Sequence, residues 1–189
     1  IRITAALAPE SLRAIETAHQ AILARASEAD VIIMTAAVGD FRPEIQSPEK
    51  IKKESIGQNW SLSLVRTADI LLELGKIRQS SQKRQPILVG FAAETAMGDA
   101  KRLLNLARAK LASKGADALF ANDVSLPDAG FSVPTNQGVL VFSDRTERFI
   151  EAGTKDQVAL ELLSELSAKF FSASSSGDSA GAVSPLSRE

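Results

Sequence analysis

"ILVGFAAET" (residues 87–95) is an apolar run that stops at Gly-Phe-Ala-Ala and then turns acidic and polar. Continuous rather than alternating hydrophobicity marks a strand covered on both faces, as in a parallel sheet between helices. "DVIIMTAAV" (30–38) and "DALFAN" (117–122) share the pattern, and "GVLVFSD" (138–144) supplies a fourth run of strand length. Helical patterns fall between them: "TAHQAILARASEA" with Thr17 as N-cap, "ADILLELGKIRQ" from Ala68, "DAKRLLNLARAKLASK" from Asp99, and "TKDQVALELLSELSAKF" from Thr154. In the third, Leu103, Leu106 or Ala107, and Leu111 form an apolar stripe, and Gly115 follows as a C-cap signal. This order of strands and helices predicts right-handed crossovers and an α/β fold, a Rossmann-like, doubly wound, mostly parallel sheet.

Residues 41–65, "FRPEIQSPEKIKKESIGQNWSLSLV", break the pattern with two prolines, a basic cluster and the alternation Trp60, Leu62, Leu64. Alternation implies strands with one wet face, so this segment reads as a β-arm or flap inserted in the main domain, with Trp60 as its hydrophobic anchor. From Ser172 onward the Ser/Gly/Ala-rich stretch has too little apolar surface to order itself and reads as a disordered tail. One domain over residues 1–171 is the expected organisation.

Lys+Arg 22 against Asp+Glu 23 gives a formal net charge of -1, so no global field recruits nucleic acid or an anionic membrane. Cys 0 rules out disulfides, thiolate nucleophiles and Cys-ligated metals, and fits a reducing, cytoplasmic setting. No run approaches the roughly 20 apolar residues of a membrane span. One His and Tyr 0 leave Lys, Asp, Asn and backbone amides to carry any chemistry. The single His, His19, falls inside a helix and reads as a surface or packing residue.

In open parallel sheets the ligand crevice lies past the carboxyl ends of the strands, where helix N-termini aim their dipoles outward. Those ends here are Thr35-Ala36-Ala37-Val38-Gly39-Asp40, Phe91-Ala92-Ala93-Glu94-Thr95 and Ala121-Asn122-Asp123. Taken singly, each reads more readily as helix–sheet packing with polar caps, Asp123 capping a turn; together they point to a ligand that approaches the backbone over small side chains. Lys50, Lys52 and Lys53 lie in the flap, and Lys110 and Lys114 share a helical face by their i, i+4 spacing. Lysine is a compact charge suited to polyphosphate, although a solvated helix face is the commoner reason for such a pair.

The ordered motifs "TAAVGDFRP", "PEKIKK", "ADIL", "VGFAAET" and "ARAKLASKGADALFANDVS" resemble phosphopantothenoylcysteine synthetase (phosphopantothenate–cysteine ligase), the synthetase half of the bifunctional bacterial coenzyme A biosynthesis flavoprotein. The resemblance runs from about Thr17 to Phe171. It implies a ligase that joins 4'-phosphopantothenate to cysteine, with CTP activating the carboxylate as an acyl-cytidylate, Mg2+ accompanying the nucleotide, and a homodimer built through the arm. FMN is implied only for a decarboxylase fused upstream. It further implies that Ala36 and Ala37 contact nucleotide or intermediate through the backbone, and that Asp40 sits by the nucleotide and its metal. Lys50 would close over the reacting carboxyl, and Ala68, Asp69, Ile70 and Leu71 would line the base pocket. Phe91 would pack on the nucleotide, and Lys110 and Lys114 would hold it.

Gly39 replaces the Ala usual in the family, and Thr67-Ala68 replaces an Asn-Pro pair, which removes proline's fixed φ before Asp69. The family's opening strand and Gly-rich, Arg/Asn-containing turn have no counterpart here. Either Ile1 is therefore expected not to be the natural start or the chain is expected to be a fragment, and without that segment weak nucleotide binding and impaired ligation are the expectation. Two other readings stand beside the ligase. An NAD(P)-dependent reductase calls for a G-x-G-x-x-G turn, which is missing, and short-chain reductases use a tyrosine, which the chain lacks. A noncatalytic nucleotide-binding or dimerisation module would use the arm alone.

Overall fold

The computed structural model describes residues 3–6, 12–36, 39–45, 47, 49–52, 58–81, 86–130 and 132–172. Ala37, Lys53 and the Ser-rich stretch from residue 173 lie outside the described residues. The elements are β1 (Ile3–Ala6), α1 (Leu12–Arg25), β2 (Val31–Met34), β3 (Phe41–Pro43), β4 (Leu64–Arg66), α2 (Ile70–Ser81), β5 (Ile87–Glu94), α3 (Ala100–Lys114), β6 (Ala118–Asp123), β7 (Thr135–Phe142), β8 (Glu147–Thr154) and α4 (Lys155–Phe171). Six strands form one sheet in the order β1-β2-β5-β6-β7-β8. The pairs β1–β2, β2–β5 and β5–β6 are parallel; β6–β7 and β7–β8 are antiparallel. The doubly wound, mostly parallel α/β sheet read from the sequence is the fold found.

Successive residues of each strand serve opposite layers, the period-2 alternation of the pleat. Ile32, Leu88, Leu119 and Val139 pack beneath Ile22 of α1, Leu71 and Leu74 of α2, and Leu103, Ala107 and Leu111 of α3. Val31, Val89, Phe120 and Leu140 face Val158, Leu162 and Leu166 of α4. Three helices thus cover one face and α4 the other. Phe120, Leu88, Leu119 and Leu140 are fully buried, each such side chain contributing about 1.5–3 kcal/mol by leaving water.

Helix ends follow local chemistry. The Asp99 side chain accepts from Arg102 N to start α3, and Gly115 ends it in the left-handed region at φ 62. Thr154 and Gln157 form a reciprocal capping box at the start of α4. Gly75 allows α2 to cross α3 closely, because a Cβ there would run into the Lys114 carbonyl oxygen.

Four expectations need correction. Thr17 is not an N-cap, since α1 runs from Leu12 and contains it. α2 starts at Ile70, with Asp69 Oδ1 accepting from Leu72 N at 3.1 Å, two residues later than the start at Ala68 read from the sequence. β1 and β8 were not anticipated from the pattern. The arm is a two-stranded antiparallel ribbon, Phe41 to Arg66 and Pro43 to Leu64 in register, and Trp60 and Leu62 precede its second strand rather than belonging to it. Trp60 is 54% exposed, so among the described residues about half of its surface is left uncovered.

Candidate functional site

Because β2, β5 and β6 run parallel and in register, their carboxyl ends share one edge of the sheet. β7 opposes β6 and β8 opposes β7, so β8 runs with β6 and delivers Thr154 to that same edge. α4 therefore begins where the crevice of an open α/β sheet belongs. A cavity of about 570 Å³ opens there, on the α4 side. Its upper wall is Thr35 and Ala36 after β2, Phe91, Ala92 and Ala93 of β5, and Asn122 of β6. Asn136, Lys155, Ala159 and Leu163 complete the wall toward β7 and α4.

All three strand ends singled out in the sequence meet at this cavity. Phe91 is 36% exposed and rests edge-on against Phe120, with ring centroids 5.5 Å apart at 61°. One flank of its ring is thus fixed by the core. Asn122 is only 9% exposed, yet its amide has no hydrogen-bond partner among the described residues. Its neighbour Asp123 is a structural acceptor, as a turn cap should be: it takes Ala96 N at 3.0 Å, Gly98 N at 2.8 Å and the Ser125 hydroxyl at 2.5 Å. Burial alone would push this carboxyl up, but the Ser125 hydroxyl and the amides of Gly98, Ala96 and Ser125 outweigh it and hold Asp123 well below the usual carboxylate range.

Other sequence candidates lie elsewhere. Lys110 Nζ is 2.6 Å from Glu94 Oε1, and Lys114 pairs with Asp69. These pairs tie the start of α2, the end of β5 and α3 into one seam on the face opposite α4, and neither lysine lines the cavity. Ile70 and Leu71 are core residues. Ala68 is exposed. Asp40 and Lys50 are exposed and carry no side-chain partner among the described residues, and neither lines the cavity. No group of three or more His, Asp or Glu side chains among the described residues could hold a metal. His19 Nε2 lies 2.8 Å from Glu73 Oε2, a packing role joining α1 to α2. No helix among the described residues is long and apolar enough to cross a membrane.

A covered sheet, a cavity past the ends of its central strands and small residues at those ends define a crevice-type α/β binding protein. The profile of the DNA/pantothenate metabolism flavoprotein C-terminal domain matches residues 6–170, and the chain belongs to that family. It is 40% identical over 150 residues to the coenzyme A biosynthesis bifunctional protein CoaBC of Bacillus subtilis (strain 168), a match covering 79% of this chain and 34% of that protein. The chain thus spans about a third of the length of the curated relatives it matches. The crystal structure of the C-terminal domain of a CoaBC protein superposes with a TM-score of 0.59 at 28% identity, covering 82% of this chain and 61% of the other. A Cab2 mutant in complex with phosphopantothenate-cysteine shares the fold at TM-score 0.58 and 17% identity, covering 82% of this chain and 50% of the other.

Proposed function

We propose that these residues form the synthetase half of a coenzyme A biosynthesis enzyme, which joins 4'-phosphopantothenate to cysteine through an acyl-cytidylate. The observation that carries the reading is the meeting of Ala36, Phe91, Ala93 and Asn122 around one cavity at the carboxyl edge of the sheet, in a chain of this family. Relatives named coenzyme A biosynthesis bifunctional protein support the pathway, and the Cab2 complex shows a protein of this fold holding phosphopantothenate-cysteine.

In this reading a carboxylate oxygen of phosphopantothenate attacks the α-phosphorus of CTP and pyrophosphate leaves. The cysteine amine then attacks the acyl carbon and CMP leaves. Both partners of the first step are anionic, so cations must offset the charge that grows in its transition state. Lys50, exposed and unpaired among the described residues, suits a flap cation that closes on the reacting carboxyl. Phe91 offers its open face to the nucleotide. Lys110 and Lys114 would exchange Glu94 and Asp69 for nucleotide, near a base pocket to which Ala68 and Asp69 offer side chains and the core residues Ile70 and Leu71 only backbone.

Mg2+ fits Asp40, because this ion takes one or two carboxylates and completes its shell with phosphates and water rather than a protein cage. It would supply charge neutralisation on the nucleotide phosphates. Ala37 is proposed as a backbone contact beside Ala36. FMN would serve only a fused decarboxylase.

A homodimer and a cytoplasmic setting belong to the same proposal. Phe41, Trp60, Leu62 and Leu64 on the arm are each at least half exposed, the apolar face a twofold mate would cover. The test is a ligation assay on the full natural protein, following phosphopantothenoylcysteine, CMP and pyrophosphate with CTP or ATP supplied. Stoichiometric CMP release that needs both phosphopantothenate and cysteine supports the reading; nucleotide consumption independent of cysteine refutes it.

A further inference from the structure

Among the described residues, Lys155 is the only charged side chain that lines the cavity, and no carboxylate there pairs with it. That contrasts with Lys110 and Lys114, whose charges are already met within the chain. Two amides of the first turn of α4 are also committed: Lys155 N donates to Pro134 O at 3.0 Å, and Gln157 N to Thr154 Oγ1 at 3.2 Å. The ammonium is therefore the main cationic donor at this edge, supported by the positive end of the helix dipole.

Two side-chain amides stand on the same wall. Asn136 Oδ1 accepts from Gln137 N at 3.0 Å, which leaves the Asn136 NH2 group free to donate. Asn122, nine-tenths buried and unpartnered among the described residues, faces the same space. The remaining wall is chiefly aliphatic and aromatic. Lys155 is exposed, and among the described residues no side-chain polar atom is both buried and unsatisfied, so the ammonium and the two amides meet solvent in the open cavity and are available to an anion that displaces it.

We infer that Lys155, with the amides of Asn136 and Asn122, binds a phosphate group of a substrate at the α4 end of the cavity. The inference rests on the ligase reading and adds a specificity residue to it. Two sources share the chemistry: the phosphomonoester of phosphopantothenate and the phosphates of the nucleotide.

The test is calorimetry on the full natural protein and its Lys155→Gln and Lys155→Arg variants, with CTP, phosphopantothenate and pantothenate titrated separately. Loss of one charge-assisted contact should weaken a phosphate-bearing ligand about tenfold in Lys155→Gln, with Lys155→Arg keeping most of the affinity. The ligand that weakens names the source, and pantothenate should be unaffected. If CTP and phosphopantothenate both bind Lys155→Gln within twofold of the natural protein while ligation continues, the Lys155 assignment falls and the ligase reading stands. Should the natural protein neither ligate nor bind either ligand, the ligase reading falls. A measurement independent of both folding of the variant and activity is amine acylation of the natural protein read by mass spectrometry. Inorganic pyrophosphate should protect Lys155 several-fold while the exposed Lys76 reacts unchanged; equal labelling of Lys155 with and without pyrophosphate overturns the assignment.

Discussion

Lys110 Nζ lies 2.6 Å from Glu94 Oε1, so a residue of α3 is fastened to the last residue of β5, two positions past the Ala92 that walls the cavity. Both side chains are part-exposed, and such a pair contributes less than about 1 kcal/mol. Its interest lies in what could replace the carboxylate.

Neutralising Lys110 and Lys114 together to Gln should therefore leave stability within about 1 kcal/mol of the natural protein. It should weaken CTP and flatten the dependence of its affinity on salt, because fewer ionic contacts remain to be screened. Titrations at two ionic strengths check this, and unchanged affinity returns both lysines to a structural role in the seam.

Lys50→Gln separates binding from chemistry. Its side chain is unpaired among the described residues, so the fold should be indifferent to the change. CTP affinity should hold while the ligation rate falls by about a hundredfold, the scale of a lost transition-state charge contact. Ligation within a few-fold of normal would remove Lys50 from the mechanism.

Asp123 sets an acid limit on stability. Its folded pKa is depressed, so its contribution is complete above the unfolded carboxylate value and is lost as pH falls through that range toward the folded value. Unfolding midpoints measured from about pH 6 to about pH 3 should decline, and Asp123→Asn should start lower, by about 2 kcal/mol, with a shallower decline. Parallel profiles would mean that other carboxylates govern the acid limb.

Gly75→Ala opposes two effects. Alanine favours a helix interior by about 1 kcal/mol over glycine, but the added methyl meets the Lys114 carbonyl across the α2–α3 crossing. Overpacking should win, lowering urea stability by about 1–2 kcal/mol net. A gain in stability would show that the two helices can separate at little cost.

What the sequence made legible was whatever carries its own local chemistry. Asp99, Gly115 and Thr154 mark helix ends because a side-chain acceptor or a left-handed φ is needed there whatever the surroundings. β5 and β6 read as buried strands because both faces are apolar. β8 did not, because of Glu147, Arg148, Phe149 and Ile150 only Ile150 is buried and the others face water in whole or part. The turn before it is held by Asp144 Oδ1, which accepts from Thr146 N at 3.1 Å, with Arg145 at φ 73; that signal was present in "SDRT" but was read as the end of a strand. Missing β8 hid the direction in which α4 starts, and with it the place of Lys155. The ion pairs of Lys110 and Lys114 were illegible for another reason: i, i+4 spacing sets the face of a helix, not what opposes it.

Since α4, rather than a loop, forms the inner wall, the chamber's size is set by residues whose backbone is held in register by a helix. Ala159 stands one turn below Lys155 on that wall. A leucine at 159 would narrow the chamber without disturbing any strand end, so the size of ligand it admits is set from a single methyl-bearing position.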